Sequence, residues 1–310
     1  MIKDFELEKI VEPLLGWFIE NARILPWRTE PTPYRVWVSE IMLQQTRVEA
    51  VKPYFERFMR VLPGIKDLAE CPEDELLKLW EGLGYYNRVR NMQKAAIEVM
   101  ENHGGELPAD YNKLLDLKGI GSYTAGAVAS IAYGIPVPAV DGNVLRVLTR
   151  VTADDTDIMR QSFRTETERV LAALMCENGI FFPKNKDILK WKEKVYRENL
   201  PGAFNQALME LGATVCLPNG APLCEKCPWQ EFCRAREEGL LDSLPVKAKA
   251  KERKIEKRTV LIIRDGDKVA IHKRPEKGLL AGLYELPNVE GELQQEEVLA
   301  LVKETKFRPI

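Results

Sequence analysis

"LDLKGIGSYTAGAVAS", Leu115 to Ser130, is the most informative run in the chain. The residues before its glycines, "DYNKLLDL", and those after, "YTAGAVASIAYG", carry helical spacing. "KGIGS" between them is a turn that wants positive φ at its glycines. A turn this bare leaves backbone N–H groups unpaired at the start of the second helix, where the helix dipole also favours an anion. A plain αα-hairpin with a glycine cap fits the same residues, so the stretch alone leaves both readings open.

The rest of the chain gives that turn a setting. The chain has 310 residues, 45% hydrophobic and 30% charged, with a net charge of −2, a globular balance in which any nucleic-acid surface must be local. The start, "MIKDFELEKI", has acids and no apolar core of a signal peptide, so a cytoplasmic protein is expected. The uncharged run Gly119 to Val140 reads as a buried helix and a loop broken by Pro136 and Pro138, with no membrane span. From Leu7 to about Arg236 the periodicity is helical, as in "EDELLKLWEGLG" and "RNMQKAAIEVMENHGG". "VKAKAKERKIEKR", Val246 to Arg258, is a basic linker. Beyond it, "RTVLIIRDGDKVAIHKR" places two β-rich runs around Asp265-Gly266-Asp267, a hairpin signal.

Two carboxylates stand out. In "YRVWVSEIMLQQT" apolar residues surround Glu40 on nearly every side, and burial favours a neutral carboxyl, which suits a general acid. Reaching solvent or pairing with Arg28 or Arg35 is the competing reading of Glu40. In "PVPAVDGNVLRVLTR" the prolines force an extended approach, after which Asp141 or Asn143 caps a helix. A capping carboxylate held by helix N–H groups stays ionised, so capping and an electrostatic role are compatible. In "GLGYYNRVRN", Tyr85 and Tyr86 precede Arg88 and Arg90, which suits base stacking and phosphate contact as well as it suits a packed core.

Four of the six cysteines fall within "CLPNGAPLCEKCPWQEFC", with gaps of seven, two and five residues. Four clustered thiols in a reducing compartment suggest metal, either zinc or a [4Fe–4S] cluster. Having only one short Cys-x-x-Cys pair puts iron–sulfur slightly ahead. Cys71 and Cys176 read as free core thiols.

Taken in order, "LPWR", "PYRVWVSEIMLQQT", "GLGYYNRVRN", "LKGIGSYTAGA", "VDGNV", "FNQALMELGA" and the cysteine loop resemble the helix-hairpin-helix DNA glycosylases that carry an iron–sulfur cluster. Within that endonuclease III-like superfamily the chain is most similar to the MutY-type adenine DNA glycosylases. The resemblance implies a mainly α, two-lobed fold over residues 1–243. One lobe is a helical barrel of about 26–134; the other is a cluster lobe of about 1–25 plus 135–243. A basic linker, 244–258, and a short Nudix-like α+β segment, 259–310, would follow.

The resemblance also assigns roles. Lys118, Gly119, Gly121 and Ser122 would clamp the backbone of the target strand, a contact that positions without reading sequence. Glu40 would protonate the leaving adenine, Asp141 would stabilise the oxocarbenium-like sugar, and Tyr123 and Asn143 would support Asp141. Tyr123 stands where lyase relatives have a Schiff-base lysine, which implies hydrolysis without strand scission. Arg28 would help bind the extruded adenine, and Gln45 and Tyr85 would enter the gap it leaves. Cys216, Cys224, Cys227 and Cys233 would hold a [4Fe–4S] cluster. The implied partner is double-stranded DNA with an A·8-oxoguanine or A·G mispair, bound by a monomer. A relative that removes thymine from G·T mispairs is the alternative, because Tyr123 suits both.

The sequence departs from the family in three places. The first cysteine gap is one residue longer than is usual. Cys176 to Asn199 forms an extra excursion. "GLLAGLYELP", Gly278 to Pro287, resembles the Nudix-like domain that reads 8-oxoguanine. The tail around it is about half of such a domain and lacks the Arg-Glu-x-x-Glu-Glu core of a pyrophosphohydrolase, so it is expected to struggle to bury a core.

Overall fold

The structure, a computed structural model, describes residues 5–176, 199–248, 255–275 and 277–303. The excursion after Cys176 and most of the basic linker lie outside the described residues, as does the Cys176 side chain. The chain divides into two compact units, Met1–Ala248 and Lys249–Ile310.

The first unit is helical; among the described residues no strand precedes Arg258. Two apolar cores organise it. The larger runs from Leu25 to Ala139 around Trp37, Phe55, Phe58 and Trp80, with Trp27 edge-on to Phe55 at 5.4 Å and Phe58 edge-on to Trp80 at 6.1 Å. The second joins residues 7–22 to residues 140–229 around Phe18, Phe204 and Trp229, whose indole N–H donates to Ile10 O at 2.8 Å.

The helix Pro33–Leu43 starts on Thr32, whose side chain accepts from Arg35 N, with Pro33 at its first position. Tyr34 and the whole run Val36–Met42 are buried, because the helix packs against both the helix Val48–Val61 and the helix Ser122–Tyr133. The latter is the buried helix expected of the uncharged run, with Thr124–Ile131 all buried. It packs in turn on the helix Leu200–Thr214.

Asn205 of that last helix holds the segment before Asp141 in place. Its side chain donates to Val137 O at 2.9 Å and Ser130 Oγ at 2.8 Å, and accepts from Ala139 N at 3.0 Å. A buried amide with its bonds made fixes the approach of an otherwise irregular stretch.

Among the described residues, the second unit contains three two-stranded antiparallel pairings. In one, Arg264 faces Val269 and Asp265 faces Lys268, with Gly266 at φ 55° in the connecting turn. None of its described residues is buried, and Val260, Ile262, Ile271, Leu279 and Tyr284 are exposed. A segment this short has too few layers to cover them.

Candidate active site

A cleft of about 1140 Å³ opens between the two cores of the first unit. Glu40, Tyr123, Asp141, Asn143, Arg28 and Gln45 all line it, so residues spread over 116 positions of sequence share one cavity. Tyr85, the Gly119–Gly121 turn and the four cysteines do not line it.

Glu40 projects from the buried helix Pro33–Leu43 with 6% of its surface exposed. Tyr123 Oη donates to its Oε2 and also lies 3.7 Å from Met209 Sδ. Burial pushes the Glu40 carboxyl up to about 7. The Tyr123 hydrogen bond and the charge of Arg28 pull it down, and Asp141 pushes it further up. The competing salt-bridge reading does not hold. Arg28 pairs with Glu210, and Arg35 donates to Pro26 O at 2.9 Å and sits over the Phe55 ring.

Of Asp141 and Asn143, Asp141 is the helix cap: Val144 N donates to its Oδ1 at 2.8 Å. Asn143 Nδ2 donates to its Oδ2 at 2.6 Å, and Arg146 holds Asn143 Oδ1 at 2.8 Å. Burial raises the Asp141 carboxyl above its ordinary value, against the pull of the Val144 and Asn143 hydrogen bonds and the Arg146 charge. Asp141 thus has several donors where, among the described residues, Glu40 has only the Tyr123 hydroxyl, and it is the better site for a negative charge. Gly212 permits this arrangement, because a Cβ there would lie 2.6 Å from Asn143 Cβ.

Glu210 escaped the sequence reading. It is buried to 1% and accepts from Arg23 Nε at 2.6 Å, Arg23 Nη2 at 2.9 Å and Arg28 Nη2 at 2.9 Å. These arginines hold its carboxyl below the ordinary value despite burial. Arg28 is thereby fixed in the cleft wall, with its guanidinium also over the Phe18 ring at 5.5 Å. A lone acid in the apolar run "FNQALMELGA" was the available signal, the same one that exposed Glu40.

The hairpin turn departs from expectation in one detail. Gly119 has φ 81°, but Gly121 is extended at φ −98° and serves as the helix N-cap. That cap provides no side-chain hydrogen bond, so the first N–H groups of the helix remain for an incoming acceptor. Lys118, Gly119 and Gly121 are exposed, and Ser122 Oγ donates to Glu168 Oε1 at 2.9 Å. Gln45 and Tyr85 are also exposed.

The cysteine loop leaves the end of the Leu200–Thr214 helix. Burial pushes the Cys227 thiol up to about 12, and the nearby thiols of Cys216, Cys233 and Cys224 push the same way. Arg150 Nη1 lies 3.4 Å from Cys216 Sγ, and Arg146 Nε donates to Cys216 O at 2.9 Å. Both arginines thus brace Cys216. Among the described residues no three His, Cys, Asp or Glu side chains converge closely enough to hold one metal ion. Within the first gap Gly220 has φ 75°, and Leu217, Pro218 and Asn219 line the cleft.

Residues 38–173 match the model of the HhH-GPD superfamily base excision DNA repair proteins. The chain is 36% identical to an adenine DNA glycosylase of Mus musculus, over 94% of this chain and 62% of the relative. It is 34% identical to that of Schizosaccharomyces pombe, over 92% of this chain and 70% of the relative. Among solved structures, a thermostable thymine-DNA glycosylase superposes with a TM-score of 0.60 at 26% identity, covering 74% of this chain and 97% of that one. The chain spans 49–62% of the length of the mammalian and plant adenine glycosylases it matches.

Proposed function

This chain belongs to the adenine DNA glycosylase family, within the HhH-GPD superfamily of base excision repair proteins, and from that membership we propose that it removes adenine from A·8-oxoguanine and A·G mispairs in duplex DNA. The observation that carries the reading is the contrast between two carboxyls in one cleft, the buried Glu40 and the half-buried Asp141. One is shifted to about 7 by burial; the other is wrapped in hydrogen-bond donors. Such a split is how one site supplies both a neutral acid and an anion at neutral pH.

A stacked base is out of reach, so adenine is extruded into the cleft. Neutral Glu40 gives its proton to N7, and the bond from the sugar C1′ to N9 breaks with its electron pair leaving on the base. The cationic sugar is stabilised by the Asp141 carboxylate, directly or through a short-lived covalent bond, with Asn143 steadying that carboxylate. Glu40, now ionised, takes a proton from the water that attacks C1′. Tyr123 orients Glu40 and carries no amine, so no Schiff base forms and the abasic strand stays intact. Arg28, braced by Glu210, lines the pocket for the base.

The Lys118–Ser122 turn receives a backbone phosphate at the open helix start, and Gln45 and Tyr85 fill the space the base leaves. Cys216, Cys224, Cys227 and Cys233 hold a [4Fe–4S] cluster. The all-thiol donor set, with Arg150 beside Cys216 Sγ, suits an iron–sulfur cluster. When bound, the cluster would tie the loop together. Equal iron and acid-labile sulfide in the isolated protein is the expected analysis, and stoichiometric zinc would replace this assignment.

Base release from duplexes with A opposite 8-oxoguanine, A opposite G and T opposite G, resolved by chromatography, tests the substrate. Free adenine from the first two is expected. Free thymine from the third alone would favour the activity named for the thymine-DNA glycosylase that the fold resembles.

A further inference from the structure

Among the described residues, four non-glycine residues have positive φ, and two of them, Gln45 at 59° and Tyr85 at 48°, lie on exposed loops beside the same arginine. L side chains rarely adopt this conformation, and where it persists the surroundings impose it. The surroundings here are the guanidinium of Arg88, in the first turn of the helix Asn87–Asn102.

Its Nη1 donates to Ile41 O at 2.7 Å and Gln44 O at 2.7 Å, the orphan carbonyls at the end of the Glu40 helix and the residue before Gln45. Its Nη2 donates to Leu83 O at 3.0 Å and Gly84 O at 3.2 Å, the two residues before Tyr85. Its Cζ lies over the Trp80 ring, 5.4 Å from the centre, and over the Tyr85 ring, 5.5 Å from the centre. One planar cation thus ties together two loops about 40 residues apart in sequence.

We propose that Arg88 is a positioning residue for the substrate duplex. By joining the Gln45 loop to the Tyr85 turn, it makes the two exposed side chains enter the DNA as one unit when a nucleotide is extruded. The inference rests on the glycosylase reading of the adjoining cleft. It also explains why this arginine faces inward toward carbonyls, where a phosphate contact would face solvent. A lysine has one charged nitrogen and cannot span both carbonyl sets while stacking on two rings.

The test uses the full chain carrying Glu40→Gln, so that bound DNA is not cut, and a duplex with 2-aminopurine in place of adenine opposite 8-oxoguanine. Emission from 2-aminopurine reports extrusion, anisotropy reports binding, and melting reports the fold. Arg88→Lys and Arg88→Gln should lower the extruded fraction about tenfold or more, the loss expected of charge-assisted hydrogen bonds, while leaving affinity for a fully paired duplex nearly unchanged. Adding Gln45→Ala to Arg88→Lys should cost little more, because the two act as one device.

Gln45→Ala combined with Tyr85→Ala, with Arg88 left in place, asks the same question without disturbing the inner cation. Losses below the product of the single effects are expected. Extrusion equal to the parent in both Arg88 variants, or independent multiplying losses in both pairs, would overturn the inference alone. A parent that gives no emission rise would overturn the glycosylase reading and the inference with it.

Discussion

The hydroxyl of Tyr123 donates to Oε2 of Glu40, linking the first turn of the hairpin's second helix to the helix that carries the acid. That bond favours the ionised carboxylate and works against the burial that pushes Glu40 up to about 7. The rate of base release should therefore fall on the alkaline side as pH rises through about 7, where Glu40 loses its proton. It should also fall on the acid side, where Asp141 gains one above its ordinary range. Tyr123→Phe removes a stabiliser of the anion, so its alkaline limb should move to higher pH. An unmoved limb in single-turnover profiles would show that the hydroxyl does not tune the acid.

The same buried carboxyl has a cost in stability, with a definite sign. Its folded pKa of about 7 lies above the 4.5 of an unperturbed glutamate. Its contribution is fully present below the unfolded value and is lost as pH rises through the folded one. Glu40→Gln keeps the shape and never ionises. The variant should match the parent near pH 4.5 and exceed it by up to about 3 kcal/mol above pH 8. Denaturant melts at the two pH values check this; a parent as stable as the variant at high pH would mean that Glu40 is hydrated.

Glu210 is the reverse case, an acid held ionised by Arg23 and Arg28 in a nearly closed site. Glu210→Gln leaves two guanidinium groups without their carboxylate and should destabilise the protein by about 3 kcal/mol. Arg28 also loses its brace in the cleft wall, so base release should slow at temperatures where the variant is still folded. Full activity with lowered stability would confine Glu210 to a structural task.

Gly119 offers a test of the backbone contact. Its φ of 81° and a Cβ only 2.7 Å from Asn91 Cβ make alanine there strained and crowded. Gly119→Ala should cost about 1–2 kcal/mol or more from the left-handed conformation alone. It should also weaken binding to matched and mispaired duplexes alike, because phosphate contacts carry no sequence information. A loss confined to the mispair would place the turn elsewhere in recognition.

Local features were readable from the chain. The glycine turn, the buried Glu40 helix and the Ser122–Tyr133 helix follow from periodicity and punctuation over a dozen residues. Partners were harder. Glu40 could have met Arg28, Arg35 or solvent, and only the packing of two helices 83 residues apart chose Tyr123. Glu210 stayed hidden for the same reason, because its partner Arg23 is 187 residues away. Gly121 read like Gly119, yet it sits at the helix cap, where extended φ is required and positive φ is not.

The most direct measurement uses end-labelled duplexes with A opposite 8-oxoguanine, incubated with the parent or with Glu40→Gln and split between samples with and without hot alkali. The account predicts strand breaks at that adenine with the parent, only after alkali, and a loss of at least about a hundredfold in the variant, as for removal of a general acid. Breaks by the parent without alkali, or an unimpaired Glu40→Gln, would contradict it.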